Sequence, residues 1–153
     1  MVDDLDALRT VADYQFGAGA GDALFDGTDL DVTYSTGGRP RQVHAPAGRL
    51  VTLGTDGRFT LGLAGGRRLH DHLPEAAYRV VVGDESEPFV RDGRNVFAKF
   101  VRRVGDAVRP GDEVVVVHRD GAVVAVGRAE LSAAEMRDFE TGMAVSVRDG
   151  AGR

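Results

Sequence analysis

The chain has 153 residues and a mass of 16.3 kDa, which allows one ordinary domain or two very small ones. Hydrophobic residues make up 42% and charged residues 28%, a globular composition, and no run of 18 apolar residues predicts a membrane span. The acidic N-terminus lacks the basic and then apolar start of a secretory signal. Cysteine is absent, which excludes disulfides, thiolate zinc sites and cysteine nucleophiles and predicts a cytoplasmic location.

Two biases mark the composition. Glycine accounts for 21 of the 153 residues, about twice the usual share, and predicts many tight turns and therefore strands. Eighteen of the 19 basic residues are arginine, 17 of the 24 acidic residues are aspartate, and the net charge is -5. This composition is typical of a salt-loving, GC-rich organism, with codon bias as the alternative. Because the Debye length is only about 3 Å in 1 M salt, a negative net charge does not exclude a nucleic acid bound through short contacts.

The first half, residues 1–77, opens with a predicted helix and continues with a predicted hairpin. Apolar residues near the N-terminus recur at spacings of three and four: Leu5, Leu8, Val11 and Ala12. This spacing predicts a helix that ends at about Gln15, before the glycine-rich segment 17–21. Farther on, the runs 49–53 and 58–63 predict two strands, because the turn between them contains Asp-Gly.

The second half, residues 78–153, is predicted to form one closed sheet with two short helices. The predicted strands are 78–82, 96–101, 113–117, 123–126 and 143–147, and the predicted helices are 85–90 and 132–140. Ser132 and Glu135 have the spacing of a capping box at the start of the second helix. Strands this short bury a dry core best in a small barrel. The predicted fold class is therefore α+β, with a small mixed α/β N-terminal module followed by a β-barrel with short helices.

The residues that could carry catalysis or bind a metal form no self-contained active site. His70 and His72 would face the same side of a strand, but no third ligand lies at an obvious spacing, and a solvated loop is the favoured interpretation. Ser86 lies between two glutamates, which would activate a nucleophile poorly. The glycine-rich segment 17–21 lacks the preceding strand that a dinucleotide-binding loop needs.

The remaining signal is a local excess of positive charge between Phe89 and Arg109. Six basic residues and only two acidic ones give this window a charge of +4. The basic residues are Arg91, Arg94, Lys99, Arg102, Arg103 and Arg109. They are interleaved with three phenylalanines, Phe89, Phe97 and Phe100, and surround a predicted tight loop at Gly93.

Two interpretations of this window remain open from the residues alone. In the first, it contacts a nucleic acid, because arginine makes planar bidentate contacts and glycine lets a sugar–phosphate chain approach the backbone closely. In the second, three arginines only balance three carboxylates, and the phenylalanines are core. Those arginines are Arg102, Arg103 and Arg109, and the carboxylates are Asp106, Asp112 and Glu113.

A resemblance to a known family favours the first interpretation. The blocks that carry it are 80–82, 87–90, 93–101, 109–114, 124–129, 135–136 and 142–145. Together they resemble the PUA domain, the small RNA-binding barrel named after pseudouridine synthases and archaeosine transglycosylases. The segments 12–19 and 61–69 resemble the module that precedes the PUA domain in archaeosine tRNA-guanine transglycosylase and archaeosine synthase. The implied domains are 1–77 and 78–153.

The resemblance implies a tRNA-binding protein of archaeal tRNA modification. In that family a catalytic barrel with a cysteine-rich zinc site exchanges a guanine in tRNA. This chain is too short for that barrel and has no cysteine, so we expect a non-catalytic version of the C-terminal region, with no cofactor and no metal. RNA, tRNA in particular, is the expected partner, with a separate transglycosylase or archaeosine synthase as a further one and no membrane.

The resemblance also implies which residues bind RNA. PUA domains hold an RNA stem through their first short helix, the glycine loop after it and the neighbouring strand. Carried over, this assigns RNA binding to Phe89, Arg91, Gly93, Arg94, Asn95, Val96, Phe97 and Lys99. Arg94 and Lys99 are expected to contact phosphates, with the backbone of Gly93 against the ribose chain.

Two other functions remain as alternatives. One is a protein–protein adaptor that docks on an RNA-modification or ribosome-related enzyme and touches RNA little. The other is a small hydrolase or transferase that uses His70 or His72. A bound metal at these two histidines would favour the enzyme, and unchanged tRNA affinity after loss of Arg94 and Lys99 would favour the adaptor.

Overall fold

Helix α1 (Asp4–Phe16) opens the first of two compact units, one within residues 1–74 and the other within 75–153. The computed structural model describes residues 4–72 and 78–152. As the apolar spacing predicted, α1 has one buried face, which contains Leu8, Ala12 and Phe16. Within the described ranges, no helix is both long and apolar enough to cross a membrane.

A second helix, α2 (Ala20–Leu24), begins inside the glycine-rich segment, where the sequence predicted only a turn. Gly17 and Gly19 have φ angles of 105° and 90°, so they end α1 and reverse the chain. The N–H of Gly21 then donates to Asp13 Oδ1 at 2.7 Å, which ties the start of α2 to α1.

A four-stranded antiparallel sheet, in the order β1-β2-β3-β4, forms the rest of the first unit. Its strands are β1 (Asp31–Tyr34), β2 (Pro40–Ala45), β3 (Gly48–Leu53) and β4 (Phe59–Leu61). The predicted hairpin is confirmed as β3 and β4, in which Leu53 pairs with Phe59. The sequence did not predict β1 and β2, because each strand has at most one buried residue and so gives little apolar signal.

Helix α3 (Leu63–His72) packs on β3 and corrects two expectations. Leu63 starts this helix instead of ending a strand, and His70 and His72 lie on the helix and not in a loop. Residues two apart on a helix point about 200° apart, so the two imidazoles diverge. Among the residues of the described ranges, no group of three or more histidine, cysteine or acidic residues is placed to hold a metal.

The second unit is a six-stranded, nearly closed barrel in the order β6-β10-β9-β8-β5-β7. Its strands are β5 (Arg79–Val82), β6 (Val96–Phe97), β7 (Val101–Val104), β8 (Glu113–His118), β9 (Val123–Ala129) and β10 (Met143–Gly150). Neighbouring strands are antiparallel except β5 and β8, which are parallel. Helices α4 (Glu87–Arg91) and α5 (Ala133–Asp138) complete the unit. The predicted α+β fold class with a C-terminal barrel is confirmed.

A 3-10 turn, Ala98–Phe100, links the two edge strands β6 and β7. The sequence predicted one continuous strand over 96–101, and that prediction is wrong. A continuous strand would extend one edge of the sheet, whereas the turn carries the chain from one edge to the other. Ala98 is 2% exposed, and its N–H donates to the carbonyl of Gly142 at 2.9 Å, so the turn is part of the barrel wall.

Valine and alanine dominate the barrel core, which is capped at one side by Met136 of α5. Fully buried members include Val80, Val82, Val90, Val96, Val114, Val116, Val124, Ala125, Ala129, Ala144 and Val145. These small β-branched and methyl side chains fill the narrow interior that short strands enclose.

The predicted capping box at the start of α5 is confirmed and gives a stability test. The N–H of Glu135 donates to Ser132 Oγ at 3.1 Å, and the N–H of Ser132 donates to Glu135 Oε1 at 2.9 Å. We expect Ser132→Ala to lower the free energy of unfolding by about 1 kcal/mol, because it removes a partner from an N-terminal N–H of the helix. Denaturant melts measure this loss. Thr141→Ala, at an exposed hydroxyl outside the helix, is the control, and an equal effect of both would contradict the prediction.

Candidate nucleic-acid interface

Helix α4, the turn after it and strand β6 bring the sequence-predicted residues into one continuous segment of the second unit. The helix ends because Gly93 adopts a φ of 96°, and its N–H donates to the carbonyl of Val90 at 3.0 Å. The N–H of Arg94 donates to the carbonyl of Phe89, also at 3.0 Å, which brings these two residues together. We call residues 89–99 the α4–β6 surface.

Strand β10 and the residues after it hold this segment from behind. The N–H of Val147 donates to Asn95 Oδ1 at 2.9 Å, and the N–H of Gly152 donates to the carbonyl of Arg91 at 2.9 Å. Gly150 approaches the turn so closely that an added Cβ would lie 2.7 Å from the nitrogen of Gly93 and closer still to the carbonyl oxygen of Arg91. The backbone of the turn is therefore fixed by β10 and not by a ligand.

Four of the predicted side chains point to solvent. Phe89 and Phe97 are 56% and 48% exposed, and Arg94 and Lys99 are exposed as well. The alternative expectation that all the phenylalanines are core therefore fails for Phe89 and Phe97. An added Cβ at Gly93 would meet no atom within 4 Å, so the turn faces open space between these side chains. The segment presents two aromatic rings and two cations on a rigid backbone.

The other predicted side chains serve the fold. Val96 is fully buried, so it can reach a ligand only through its backbone. Arg91 is half-buried, forms an ion pair with Glu87 and lies 3.5 Å from the carbonyl of Gly152 through its Nη1. The side-chain oxygen of Asn95 accepts the backbone N–H of Val147 in β10. Arg91 and Asn95 thus position the turn, and Val96 anchors it in the core.

The ion pairs of the barrel differ from the balancing that the sequence suggested. Of the carboxylates expected to neutralise the window, Asp106 pairs with Arg137 and Glu113 pairs with Arg148 at 2.7 Å. The third, Asp112, accepts the backbone N–H of Arg109. Within residues 4–72 and 78–152, no ion pair or side-chain hydrogen bond engages the side chains of Arg94, Lys99, Arg103 and Arg109. Lys99 Nζ lies 5.0 Å from the ring centroid of Phe100.

A charged cluster joins the loop after β5 to the end of β8 and the turn that follows it. His118 Nε2 lies 2.6 Å from Asp84 Oδ1, and its Nδ1 lies 3.0 Å from Asp120 Oδ1. Arg119 Nη2 binds the second oxygen of Asp84 at 2.5 Å. The hydrogen bond to Asp120, and then the one to Asp84, raise the pKa of His118. The bond from His118 lowers the pKa of Asp84, while the backbone N–H of Ala122, and then the bond from His118, lower the pKa of Asp120. Sequence reasoning missed this cluster because Asp84 and His118 lie 34 residues apart.

The architecture defines the class of protein. A nearly closed barrel with a short helix and an exposed turn after its first strand is the fold of PUA domain structures. Residues 78–151 match the family model of the PUA domain, and residues 6–76 match that of the patch-forming domain C2 of tRNA-guanine transglycosylase. The chain therefore belongs to the PUA-containing proteins whose two domains correspond to the C-terminal region of archaeal tRNA-guanine(15) transglycosylase.

Two archaeal enzymes are similar to this chain over nearly its whole length. The chain is 45% identical over 144 residues to the tRNA-guanine(15) transglycosylase of Pyrococcus furiosus. The matched region covers 94% of this chain and 24% of that enzyme. It is 44% identical over 151 residues to the same enzyme of Methanothermobacter thermautotrophicus. Here the matched region covers 97% of this chain and 23% of that enzyme. The chain thus spans about a quarter of the length of the curated relatives that it matches.

Solved structures confirm the fold alone. A hypothetical protein from Pyrococcus horikoshii has a TM-score of 0.69 at 20% identity, with 97% of this chain and 90% of that chain covered. A conserved PUA domain protein from Thermoplasma acidophilum has a TM-score of 0.65 at 23% identity, with 99% and 93% covered.

The close approach of Gly150 to the turn gives a first test of the site. We expect Gly150→Ala to destabilise the protein by about 1–3 kcal/mol, because the new methyl group must displace the Arg91–Gly93 backbone or β10. Thermal or denaturant melts measure the loss. Gly37→Ala is the matched control, since its Cβ would find only Ser35 Oγ at 3.8 Å. Equal stability of the two variants would contradict the close packing.

The pKa of His118 gives a second test. A proton NMR titration should place it above the ordinary value of 6.5, and Asp120→Asn should lower it. Because the pKa of His118 is higher in the folded protein than in the unfolded chain, protonation of His118 stabilises the fold. This stabilisation is complete below a pH of about 6.5 and is lost as the pH rises through the folded pKa. The lowered pKa values of Asp84 and Asp120 keep both carboxylates charged at about pH 5.5. The stability gap between wild type and Asp120→Asn should therefore be larger at about pH 5.5 than at about pH 8.5. A His118 midpoint at or below 6.5 would contradict the cluster.

Proposed function

We propose that this protein binds tRNA without catalysing a reaction on it and acts in archaeal tRNA modification. The PUA domain and the homology to the archaeal transglycosylase C-terminal region support RNA binding tied to tRNA modification. The proposed domains are 1–77 and 78–153, and the proposed setting is the cytoplasm, in keeping with the absence of cysteine.

The observation that carries the proposal is the α4–β6 surface. Arg94 and Lys99 present exposed charges that no carboxylate of the described ranges neutralises, in a chain of net charge -5. A sugar–phosphate backbone supplies the complementary charge, and Gly93 leaves room for it to approach. The exposed rings of Phe89 and Phe97 offer flat apolar faces for a ribose or an unstacked base.

Such a surface recognises RNA chiefly by shape. Arg94 and Lys99 meet phosphates, which fix the position of the RNA but carry no sequence information. The wide minor groove of an A-form stem presents 2′-hydroxyl groups that backbone and aromatic groups can reach. We therefore propose a stem together with its adjacent single strand as the ligand, with little direct reading of bases.

Catalysis is proposed to reside in another protein. The relatives named as transglycosylases are about four times longer than the matched region. We propose that a separate transglycosylase or archaeosine synthase performs the reaction while this chain holds the tRNA.

The double variant Arg94→Ala/Lys99→Ala tests the proposal. Removing two phosphate contacts should weaken binding of an unmodified tRNA transcript at least tenfold and reduce the slope of log K against log salt by about two. Filter binding over a range of salt concentrations up to about 1 M measures both quantities. Far-ultraviolet circular dichroism checks that the variant is folded.

The matched control is Arg41→Ala/Arg128→Ala, which removes the same charge at two exposed arginines outside the α4–β6 surface. It should keep most of the affinity. Equal losses in the two double variants would indicate a diffuse field and not a site. Unchanged affinity in Arg94→Ala/Lys99→Ala would overturn the proposal in favour of the protein–protein adaptor.

A further inference from the structure

Two adjoining grooves run along strand β7, on the far side of the Ala98–Phe100 turn from β6. Their volumes are about 640 and 370 Å³. The larger is lined by Val81, Gly83, Asp84, Glu85, Arg102, Arg103 and Arg119. The smaller is lined by Val101, Arg102, Arg103, Val104 and Arg137. Arg102 and Arg103 line both grooves, so we treat the two grooves as one and call it the β7 groove.

Three of the four arginines in the β7 groove are held in place. Arg102 pairs with Glu85 at 2.9 Å, Arg119 pairs with Asp84, and Arg137 pairs with Asp106. Each of these guanidinium groups is thus oriented by a carboxylate and partly neutralised by it. They form a fixed wall of hydrogen-bond donors around the groove.

Arg103 is different. It is exposed, it borders both grooves, and within residues 4–72 and 78–152 no carboxylate or carbonyl engages its side chain. Its guanidinium therefore keeps its planar set of N–H donors available, which matches a phosphate better than a point charge does. Together with Asp106, which pairs with Arg137, three carboxylates face the four arginines of the β7 groove, and the remaining charge of +1, on Arg103, complements a polyanion.

The edge of the sheet at this place does not favour an added peptide strand. Among the described residues, β7 pairs with β5 alone, so its other side is an edge there. However, Arg137 Nη2 donates to the carbonyl of Val104 at 3.0 Å, which occupies a backbone acceptor that an incoming strand would need. A ligand in the groove would therefore meet side-chain hydrogen-bond donors and not the backbone hydrogen bonds of a strand pair.

The β7 groove continues the α4–β6 surface along the chain. Lys99 and Arg103 are four residues apart, so their Cα atoms are separated by at most about 14 Å. Since the intervening turn joins the two edges of the barrel, a polynucleotide that leaves Lys99 can continue to Arg103 on the same unit.

We propose that the β7 groove binds the phosphate backbone of a second segment of the same RNA, with Arg103 as its bidentate phosphate ligand. This inference rests on the proposed RNA binding and extends the contact beyond the α4–β6 surface. A guanidinium fork fits carboxylate and phosphate alike. RNA is favoured over an acidic protein segment because the strand edge is partly occupied and because Arg103 follows Lys99 of the proposed RNA surface by only four residues.

Arg103→Ala tests the inference on the full chain with an unmodified tRNA transcript as the probe. Affinity should fall about three- to tenfold, and the slope of log K against log salt should decrease by about one. Arg103→Lys should keep the slope and recover only part of the affinity, because it restores the charge but not the fork. Arg128→Ala, an exposed arginine of β9 outside the groove, should change neither quantity.

An amide NMR titration with the same transcript locates the contact. Gly83 and Val104 of the groove should shift together with Gly93 of the α4–β6 surface in the wild type, and the groove shifts should shrink in Arg103→Ala. Loss of binding in Arg94→Ala/Lys99→Ala with no effect of Arg103→Ala would overturn the groove and leave the proposed function standing. No effect of either variant would overturn both. Binding of poly-glutamate that depends on Arg103, with unchanged RNA affinity, would replace RNA by an acidic protein as the ligand.

Discussion

Closure of the C-terminal barrel through the Ala98–Phe100 turn is the constraint on which the rest of the second unit depends. Strands β6 and β7 lie at opposite ends of the sheet order but are separated in sequence by three residues. The sheet must therefore curl into a nearly closed barrel that brings the edge strands β6 and β7 near each other, although the two strands do not pair in the described ranges. Buried Ala98 fixes the turn to the wall through the carbonyl of Gly142, and its neighbour Lys99 is left exposed.

The same constraint explains why the exposed charge is concentrated. Residues on both sides of the turn come from the two edges, so Arg94 before β6, Lys99 in the turn, and Arg102 and Arg103 of β7 follow one another closely along the chain. Gly150 and the β10 backbone then fix the preceding turn at Gly93 without help from a ligand. A backbone fixed in this way would lose little conformational entropy on binding the proposed RNA, which is an advantage for a small domain with few contacts to offer.

Local patterns predicted the elements whose signals lie within a few residues. Helix α1 and the capping box of α5 were found from spacings of three and four. Strands β1 and β2 were missed because each has one buried residue at most, and α3 was missed because two glycines interrupt its apolar spacing. At the site, exposure of Phe89 and the pairing of Arg102 with Glu85 could not be predicted, since they depend on which segments the barrel brings together.

The distribution of ion pairs reconciles an acidic chain with the proposed polyanionic ligand. Arg137 and Arg148 pair with Asp106 and Glu113, two of the three acids that the sequence suggested would balance Arg102, Arg103 and Arg109. Because these acids are already engaged, the guanidinium of Arg103 is not drawn into a local pair. The overall field of the protein repels a polynucleotide at long range, but at a Debye length of about 3–8 Å that field reaches little beyond the surface. Affinity then depends on direct contact, which an arginine fork on a rigid strand supplies and a diffuse positive charge would not.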